Sequence, residues 1–108
     1  MGYVYLLLQV ESNGTETFKI GVTKKDINTR ISSLQTGNPN KISLLKFYES
    51  DNYKKIERLL HKKYFSNRTE TNNEWFILTN EDVISFIDDC KKQDEMIIFM
   101  KTNNYFFD

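Results

Sequence analysis

Residues 18–30 read FKIGVTKKDINTR and join the end of one predicted element to the start of the next. Apolar residues at 18, 20 and 22 alternate with Lys19, Gly21 and a threonine, which is the period of a β-strand with two different faces. Asp26 then stands where a helix N-cap is expected. The stretch therefore predicts a strand that leads directly into a helix and carries a lysine beside a glycine on one face.

A β-hairpin is predicted upstream of that helix. Residues 3–10, YVYLLLQV, are β-prone, Asn13-Gly14 is a turn signal, and residues 17–23 form the return strand. A two-residue turn would pair Leu8 with Lys19 and place Lys19 on the face opposite Tyr5. A three-residue loop or a bulge would shift the register by one residue. We predict the shifted register, with Lys19 and Tyr5 on one face.

The remaining chain predicts alternating helices and one more strand. A helix follows Asp26 to about position 35, a strand covers 41–48, and Asp51 caps a helix that runs to about position 65. Residues 74–78 read as a short extended segment, Asn80 caps another helix, and the apolar tail is a strand or a packed arm. The predicted inward-facing residues of the three helices are Ile27, Ile31, Leu34, Tyr53, Ile56, Leu60, Tyr64, Val83, Ile84, Phe86 and Ile87.

These elements predict a small α/β fold. We expect a three-stranded mixed sheet, made of the hairpin plus one strand, flanked by helices in the order β-β-α-β-α-α. The 108 residues suffice for one domain, in which residues 92–108 form a C-terminal extension.

Composition bounds the class of protein. A hydrophobic fraction of 39% and a charged fraction of 28% are typical of a soluble globular domain. A single cysteine, Cys90, excludes an internal disulfide and favours an intracellular setting, the cytoplasm or nucleus of a host. The opening MGYVYLLLQV is too short for a membrane span and lacks a basic start, so neither a signal peptide nor a membrane partner is expected. No Cys/His cluster suggests zinc, and no GxxxxGK[ST] motif suggests a nucleotide-binding loop.

The net charge of zero argues against a protein that coats nucleic acid through its total charge, but it permits a local basic patch. The basic residues cluster in two places, around Lys24 and Lys25 and around Lys54 and Arg58. A run of this kind often only solvates a helix, and it can equally follow a DNA backbone.

Several motifs occur in a specific order: YVYLL, FKIGVT, Arg30, LQTGNP, IERLLHKKY and NEWF. In this order the chain resembles the GIY-YIG nuclease superfamily from Tyr3 to about Leu78, and in particular the phage and viral branch with a Lys-Ile-Gly second motif. Tyr3 stands where the first glycine of the name-giving motif is expected, and Lys19 stands where the second motif usually begins with tyrosine. Tyr5 keeps the key tyrosine of the first motif.

The resemblance implies a metal-dependent DNA endonuclease that hydrolyses phosphodiester bonds with one divalent ion, Mg²⁺ or Mn²⁺. Glu57 would hold the ion as the single protein carboxylate. Arg30 offers a planar fork of donors to the phosphate. Lys19 would hold the phosphate or favour the ionised form of Tyr5, and Tyr5 would orient or deprotonate the attacking water.

Further candidates lie near these residues. His61 follows Glu57 by four positions and shares its helix face. It could serve as a proton donor, as a phosphate contact or as a partner of a residue that binds the metal. Glu74, beside Trp75, is a second candidate carboxylate. Lys24, Lys25, Lys54 and Arg58 are the candidate DNA contacts.

Each of these residues also has an ordinary structural interpretation. Tyr5 is compatible with a half-buried strand tyrosine, Arg30 and Glu57 with solvated helix residues, and Glu57 with a local salt bridge to a neighbouring cation. The Trp75-Phe76 pair is expected in the core, although an aromatic platform for an unstacked base stays open.

The alternative functions are a nucleic-acid-binding module that kept the fold without cleavage, and a protein-interaction domain without DNA affinity. Sequence specificity would come from the domain itself, a homodimer or a separate partner.

Overall fold

The computed structural model describes residues 1–69 and 75–103. The predicted candidate Glu74 and the last five residues of the tail lie outside these ranges. Within them the chain forms three strands, four α-helices and one short 3₁₀ turn. The elements are β1 (Gly2–Val10), β2 (Glu16–Thr23), α1 (Ile27–Gln35), β3 (Ile42–Ser50), α2 (Tyr53–Lys63), the 3₁₀ turn (Phe65–Asn67), α3 (Asn80–Ile84) and α4 (Phe86–Thr102).

The three strands form one sheet in the order β2-β1-β3, which confirms the predicted small α/β fold and its element order. Both neighbouring pairs are antiparallel, so the sheet is fully antiparallel and the expectation of a mixed sheet is wrong. The β2-α1-β3 crossover does make β2 and β3 run in the same direction. Because β1 lies between them, no parallel pair of neighbours results.

The hairpin adopts the predicted shifted register. Glu11 N–H donates to Thr15 O, and Gly14 N–H donates to Glu11 O, each at 2.9 Å, which closes a three-residue loop. Gly14 has a φ of 87°, in the region that glycine occupies without strain. Lys19 consequently pairs with Leu7, and Gly21 pairs with Tyr5. Since side chains alternate along a strand, Tyr5, Lys19 and Gly21 share one face.

The two faces of the sheet carry different cores. On one face, strand residues pack against α2 and α4 in a cluster made of Val4, Leu6, Phe18, Ile20, Ile56, Leu60, Tyr64, Phe76, Phe86, Cys90 and Ile97. We call this side the apolar face. The opposite side, which we call the polar face, has a smaller cluster of Tyr5, Leu7, Ile42 and Trp75, with Ile31 and Leu34 of α1 packed against it. Helix α1 and the α2–α4 pair therefore cover opposite sides of the sheet.

Helix α1 begins as predicted. Asp26 is its N-cap, and a carboxylate oxygen of Asp26 accepts a hydrogen bond from Thr29 N–H at 3.0 Å. The predicted stripe also holds, with Ile27 buried and Ile31 and Leu34 partly buried. This cap fixes where the chain turns from β2 into the helix.

The predicted cap of α2 is wrong. Asn52 is the N-cap, without a side-chain capping bond, and the helix ends at Lys63 rather than near position 65. The carboxylate of Asp51 lies 3.4 Å from the N-terminal amine of Met1 instead. The side chain of Asn52 makes no capping bond because its amide donates to Asp94 Oδ1 at 2.9 Å instead.

The predicted cap of the next helix is also wrong by one residue. Thr79, not Asn80, caps α3, because Thr79 and Asp82 form a reciprocal capping box. Ile84 was expected to face inward, yet it is 72% exposed. Phe86, just beyond it, is buried as predicted.

The C-terminal segment is helical. Residues 96–102 continue α4, so the predicted strand is wrong there, whereas the alternative of a packed segment holds at Ile97, which is buried in the apolar-face core. The buried Asp94 holds α4 against the sheet, because Tyr48 and Ser50 each donate a hydroxyl hydrogen bond to its carboxylate at 2.9 Å. In the described part of the chain, none of the helices combines the length and apolar character required to cross a membrane.

Candidate active site at the edge of the hairpin

A cavity of about 160 Å³ opens at the outer edge of β2, between α1 and α2. It collects all five residues that the sequence analysis placed in the catalytic and metal site. Its lining is Tyr5, Lys19, Ile20, Gly21, Val22, Arg30, Glu57 and His61. Residues from β1, β2, α1 and α2, up to 56 positions apart in sequence, thus share one concave surface.

Tyr5 reaches this cavity from the central strand by passing over Gly21. A Cβ atom built on Gly21 would lie 2.5 Å from Cζ of the Tyr5 ring, closer than real contacts allow. Glycine is therefore required here so that the phenol can cross β2 toward its edge. The Tyr5 side chain is 1% exposed, so its ring is fixed by packing.

Lys19 lies on the same face and is only 9% exposed. Its Nζ is 5.8 Å from the centre of the Trp75 ring, a cation–π contact. Lys19 also lowers the pKa of Glu57 through its charge. The lysine is thus a partly desolvated cation directed at the cavity, which is the placement that the shifted register predicts.

Glu57 contributes the carboxylate of the cavity. Partial burial raises the pKa of Glu57 above its ordinary value, and the charges of His61, Lys19 and Arg58 oppose this rise. Glu57 lines the cavity together with His61 and Lys19, whose charges act on its carboxylate.

His61 connects α2 to the edge of the hairpin. Its Nε2 lies 2.6 Å from Ile20 O, and because a carbonyl only accepts, this nitrogen carries the hydrogen. The imidazole also packs edge-to-face on Phe76, with ring centres 5.1 Å apart. Phe76 in turn pairs with Phe18 through two backbone hydrogen bonds of 2.9 and 2.7 Å. His61 and Phe76 thereby occupy the outer edge of β2, which would otherwise be unpaired.

Arg30 lies on the opposite side of the cavity, one turn into α1. Its side chain is exposed, and none of the described residues accepts a hydrogen bond from it. Arg30 also lines a neighbouring groove of about 230 Å³, together with Lys25, Thr23, Thr29 and Ser33. The guanidinium therefore stands between the cavity and a second polar groove, where it can meet a phosphate.

The four predicted DNA contacts lie on both sides of the cavity. Lys24 and Lys25 are exposed at the start of α1. Lys54 and Arg58 are exposed on α2 and line a third groove, of about 310 Å³. The structure therefore separates the basic residues into two groups, with the cavity between them.

Sequence reasoning missed two contributors. The carbonyl of Ile20 holds His61, and only the knowledge that β2 is an edge strand would have indicated it. Lys101 of α4 reaches the groove that contains Lys54 and Arg58, and the sequence has no local signal for that contact.

The donor set of the cavity fits a hard divalent ion that is bound mainly by water and phosphate. Among the described residues that line the cavity, Glu57 is the one carboxylate, and Mg²⁺ is often held by a single carboxylate in phosphoryl-transfer sites. Throughout the described ranges, no group of three or more His, Cys, Asp or Glu residues forms a closed metal cage. A nearby cation would also offset the burial that raises the pKa of Glu57.

Comparison with known proteins assigns the chain to a family. Residues 2–91 match the T5orf172 domain, so the chain belongs to the T5orf172 domain family. This domain is phage-associated and related to nuclease-like modules. No curated protein and no solved structure gives a significant match.

Proposed function

We propose that this T5orf172-domain protein is a metal-dependent DNA endonuclease of the GIY-YIG type. The observation that carries the proposal is the convergence of Tyr5, Lys19, Arg30, Glu57 and His61 on one cavity of about 160 Å³. These are the residues that the GIY-YIG resemblance selected from the sequence. A phage-associated family related to nuclease-like modules agrees with the same interpretation.

The charges of the cavity suit a phosphodiester. Arg30 would donate its planar fork to non-bridging phosphate oxygens. Lys19 would neutralise charge that develops on the phosphate, more effectively because it is 9% exposed. Both groups act most strongly when the phosphate displaces water from the cavity.

Glu57 would hold one Mg²⁺ or Mn²⁺, which would neutralise phosphate charge and help to activate the attacking water. For this the carboxylate must be ionised. Because burial raises the pKa of Glu57, binding of a cation at this residue should strengthen as the pH rises. The Tyr5 phenol, which passes over Gly21 to reach the cavity, would orient the water or, in its ionised form, accept the proton of the water.

His61 would act as a positioning residue rather than as a proton donor. Its Nε2 hydrogen is used in the bond to Ile20 O. By joining α2 to β2, this bond would keep Glu57 at a fixed distance from Lys19 and Gly21.

Plasmid nicking tests the proposal. Supercoiled DNA is incubated in Mg²⁺ or Mn²⁺ with wild type, Glu57→Gln, Tyr5→Phe and Arg30→Ala. We expect wild type to nick and each variant to lose about a hundredfold or more in rate. Glu95→Gln is the matched control, since Glu95 is exposed on α4 and outside the cavity lining. Equal cleavage by all five proteins would show that the site is wrong.

The alternative is a DNA-binding module without cleavage. It is favoured by Lys19, which replaces the tyrosine with which the second motif usually begins. A wild-type protein that binds DNA with a steep salt dependence, but does not nick over a series of divalent metals, would establish the alternative.

A further inference from the structure

A groove of about 310 Å³ lies where the start of α2 meets the end of α4. Lys101 of α4 reaches across it, and its Nζ donates to Asn52 Oδ1 at 2.7 Å. The ammonium is thereby held at the groove while its side chain stays exposed. The described residues that line the groove are Asp51, Asn52, Tyr53, Lys54, Lys55, Arg58 and Lys101.

The groove concentrates positive charge, although the formal net charge of the whole chain is zero. The sequence contains 15 basic and 15 acidic residues, yet four basic side chains and one carboxylate line this groove within the described part of the chain. That carboxylate, Asp51, faces the N-terminal amine of Met1 at 3.4 Å. The first turn of α2 adds the positive end of a helix dipole. The local field therefore favours a polyanion.

We propose that Lys101, with Lys54 and Arg58, binds the sugar-phosphate backbone of duplex DNA beside the cleavage position. This inference rests on the proposed nuclease function and extends it to the part of α4 that lies beyond the family match. The family match ends at residue 91, so Lys101 lies outside it. The contact would therefore be a property of this chain's own C-terminal helix.

The distances along α2 suit one DNA strand. Glu57 and Arg58 are consecutive residues, and Lys54 precedes Glu57 by three, which is ~4.5 Å along a helix axis. Asn52, which holds Lys101, lies ~7.5 Å before Glu57 on the same scale. Phosphates of one strand rise ~3.4 Å each along B-form DNA, so a duplex whose axis runs along α2 would have about one to two phosphates between the groove and the cavity. On the other side, Arg30 belongs both to the cavity and to the groove that contains Lys25.

Salt-dependent binding isolates the Lys101 contact. A fluorescein-labelled duplex is titrated in EDTA, to prevent cleavage, at salt concentrations from 50 to 200 mM. For Lys101→Ala we expect binding to weaken about five- to tenfold at 0.1 M salt, and the slope of log K against log salt to become shallower by about 0.9. Lys101→Arg keeps the charge and should retain both values to within about twofold.

Lys91→Ala is the matched control. Lys91 is an exposed lysine on the same helix but does not line the groove. We expect its affinity to change less than twofold, with the wild-type slope.

The outcomes separate this inference from the proposed function. If wild type binds and nicks DNA while Lys101→Ala behaves like Lys91→Ala, the groove assignment is overturned and the nuclease proposal stands. If Lys101→Arg is as weak as Lys101→Ala, the lysine acts through its bond to Asn52 and the backbone contact is refuted. If wild type shows no affinity for the duplex even at 50 mM salt, both proposals fail.

Discussion

The two faces of the hairpin are built from the same two strands, yet they bury different chemistry. On the apolar face, Val4, Leu6 and Ile20 are at most 1% exposed and contact α2 and α4. On the polar face, Gln9, Thr17 and Lys19 are each 9% exposed or less. Burial of polar groups stabilises a fold only when they are paired, and it stabilises less than apolar packing does. The difference indicates that the apolar face contributes more to stability than the polar face, which carries the candidate site.

The largest expected effect is on the apolar face. Leu6→Ala removes a fully buried side chain at the centre of that core, which should lower the free energy of unfolding by about 2–5 kcal/mol. Urea denaturation followed by circular dichroism measures the loss. Activity per folded molecule should not change. A loss of less than about 1 kcal/mol would mean that this face does not dominate stability.

A smaller loss of stability is expected for Tyr48→Phe, because Tyr48 places a polar hydroxyl group on the apolar face. Burial, followed by the hydrogen bond to Asp94, raises the pKa of Tyr48 to about 12. Tyr48→Phe should cost about 1–2 kcal/mol at neutral pH, because it removes a donor from a buried carboxylate.

The pH dependence of Tyr48 has a definite sign. The native state keeps the phenolic proton above pH 10, where the unfolded state releases it. The Tyr48 contribution to stability is therefore complete below the unfolded pKa and is lost as the pH rises toward about 12. In Tyr48→Phe this component should be absent, so the difference in stability between the two proteins should shrink between about pH 10 and about pH 12. A constant difference would refute the assignment.

Glu57→Gln should change stability in the opposite direction to Tyr48→Phe: it should stabilise the protein at neutral and alkaline pH. Since burial raises the pKa of Glu57, the native state holds this proton more tightly than the unfolded state. The contribution of Glu57 to stability therefore decreases as the pH rises from its ordinary pKa to the raised one. The variant should gain a few degrees in Tm at pH 8 and lose nicking activity, and the gain should vanish near pH 4. A lower Tm at pH 8 would indicate that the carboxylate stabilises the fold.

The smallest expected change in stability is that of Tyr5→Phe. The ring and its packing over Gly21 are kept, so unfolding should change by no more than about 0.5 kcal/mol. Nicking should fall about 10²–10⁴-fold if the hydroxyl takes part in proton transfer. Calorimetry and plasmid nicking on one preparation give both numbers. Full activity in this variant would limit Tyr5 to a packing role.

Most of the order of strands and helices could be predicted from the sequence, because it depends on local residue patterns. The Asp26 cap, the stripe at 27, 31 and 34, and the strand alternation at 18–23 each depend on neighbours a few residues away. The errors arose where a distant residue changed a local choice. The N-cap of α2 is Asn52, whose side chain is bound to Asp94 of α4. The tail is helical, and its Ile97 packs into the apolar-face core.

The sequence by itself determined the strands, the first helix and the set of candidate residues, since residue type and spacing are local properties. It also showed that Tyr5 and Lys19 share a face only if a three-residue loop or a bulge shifts the register by one residue, and it left open which of the two does so. Only the tertiary structure decided that β2 is an edge strand, that His61 holds it through Ile20 O, and that Lys101 joins Lys54 and Arg58. The physical reason is that these contacts depend on the packing of whole helices against the sheet, to which residues far apart in the chain contribute together.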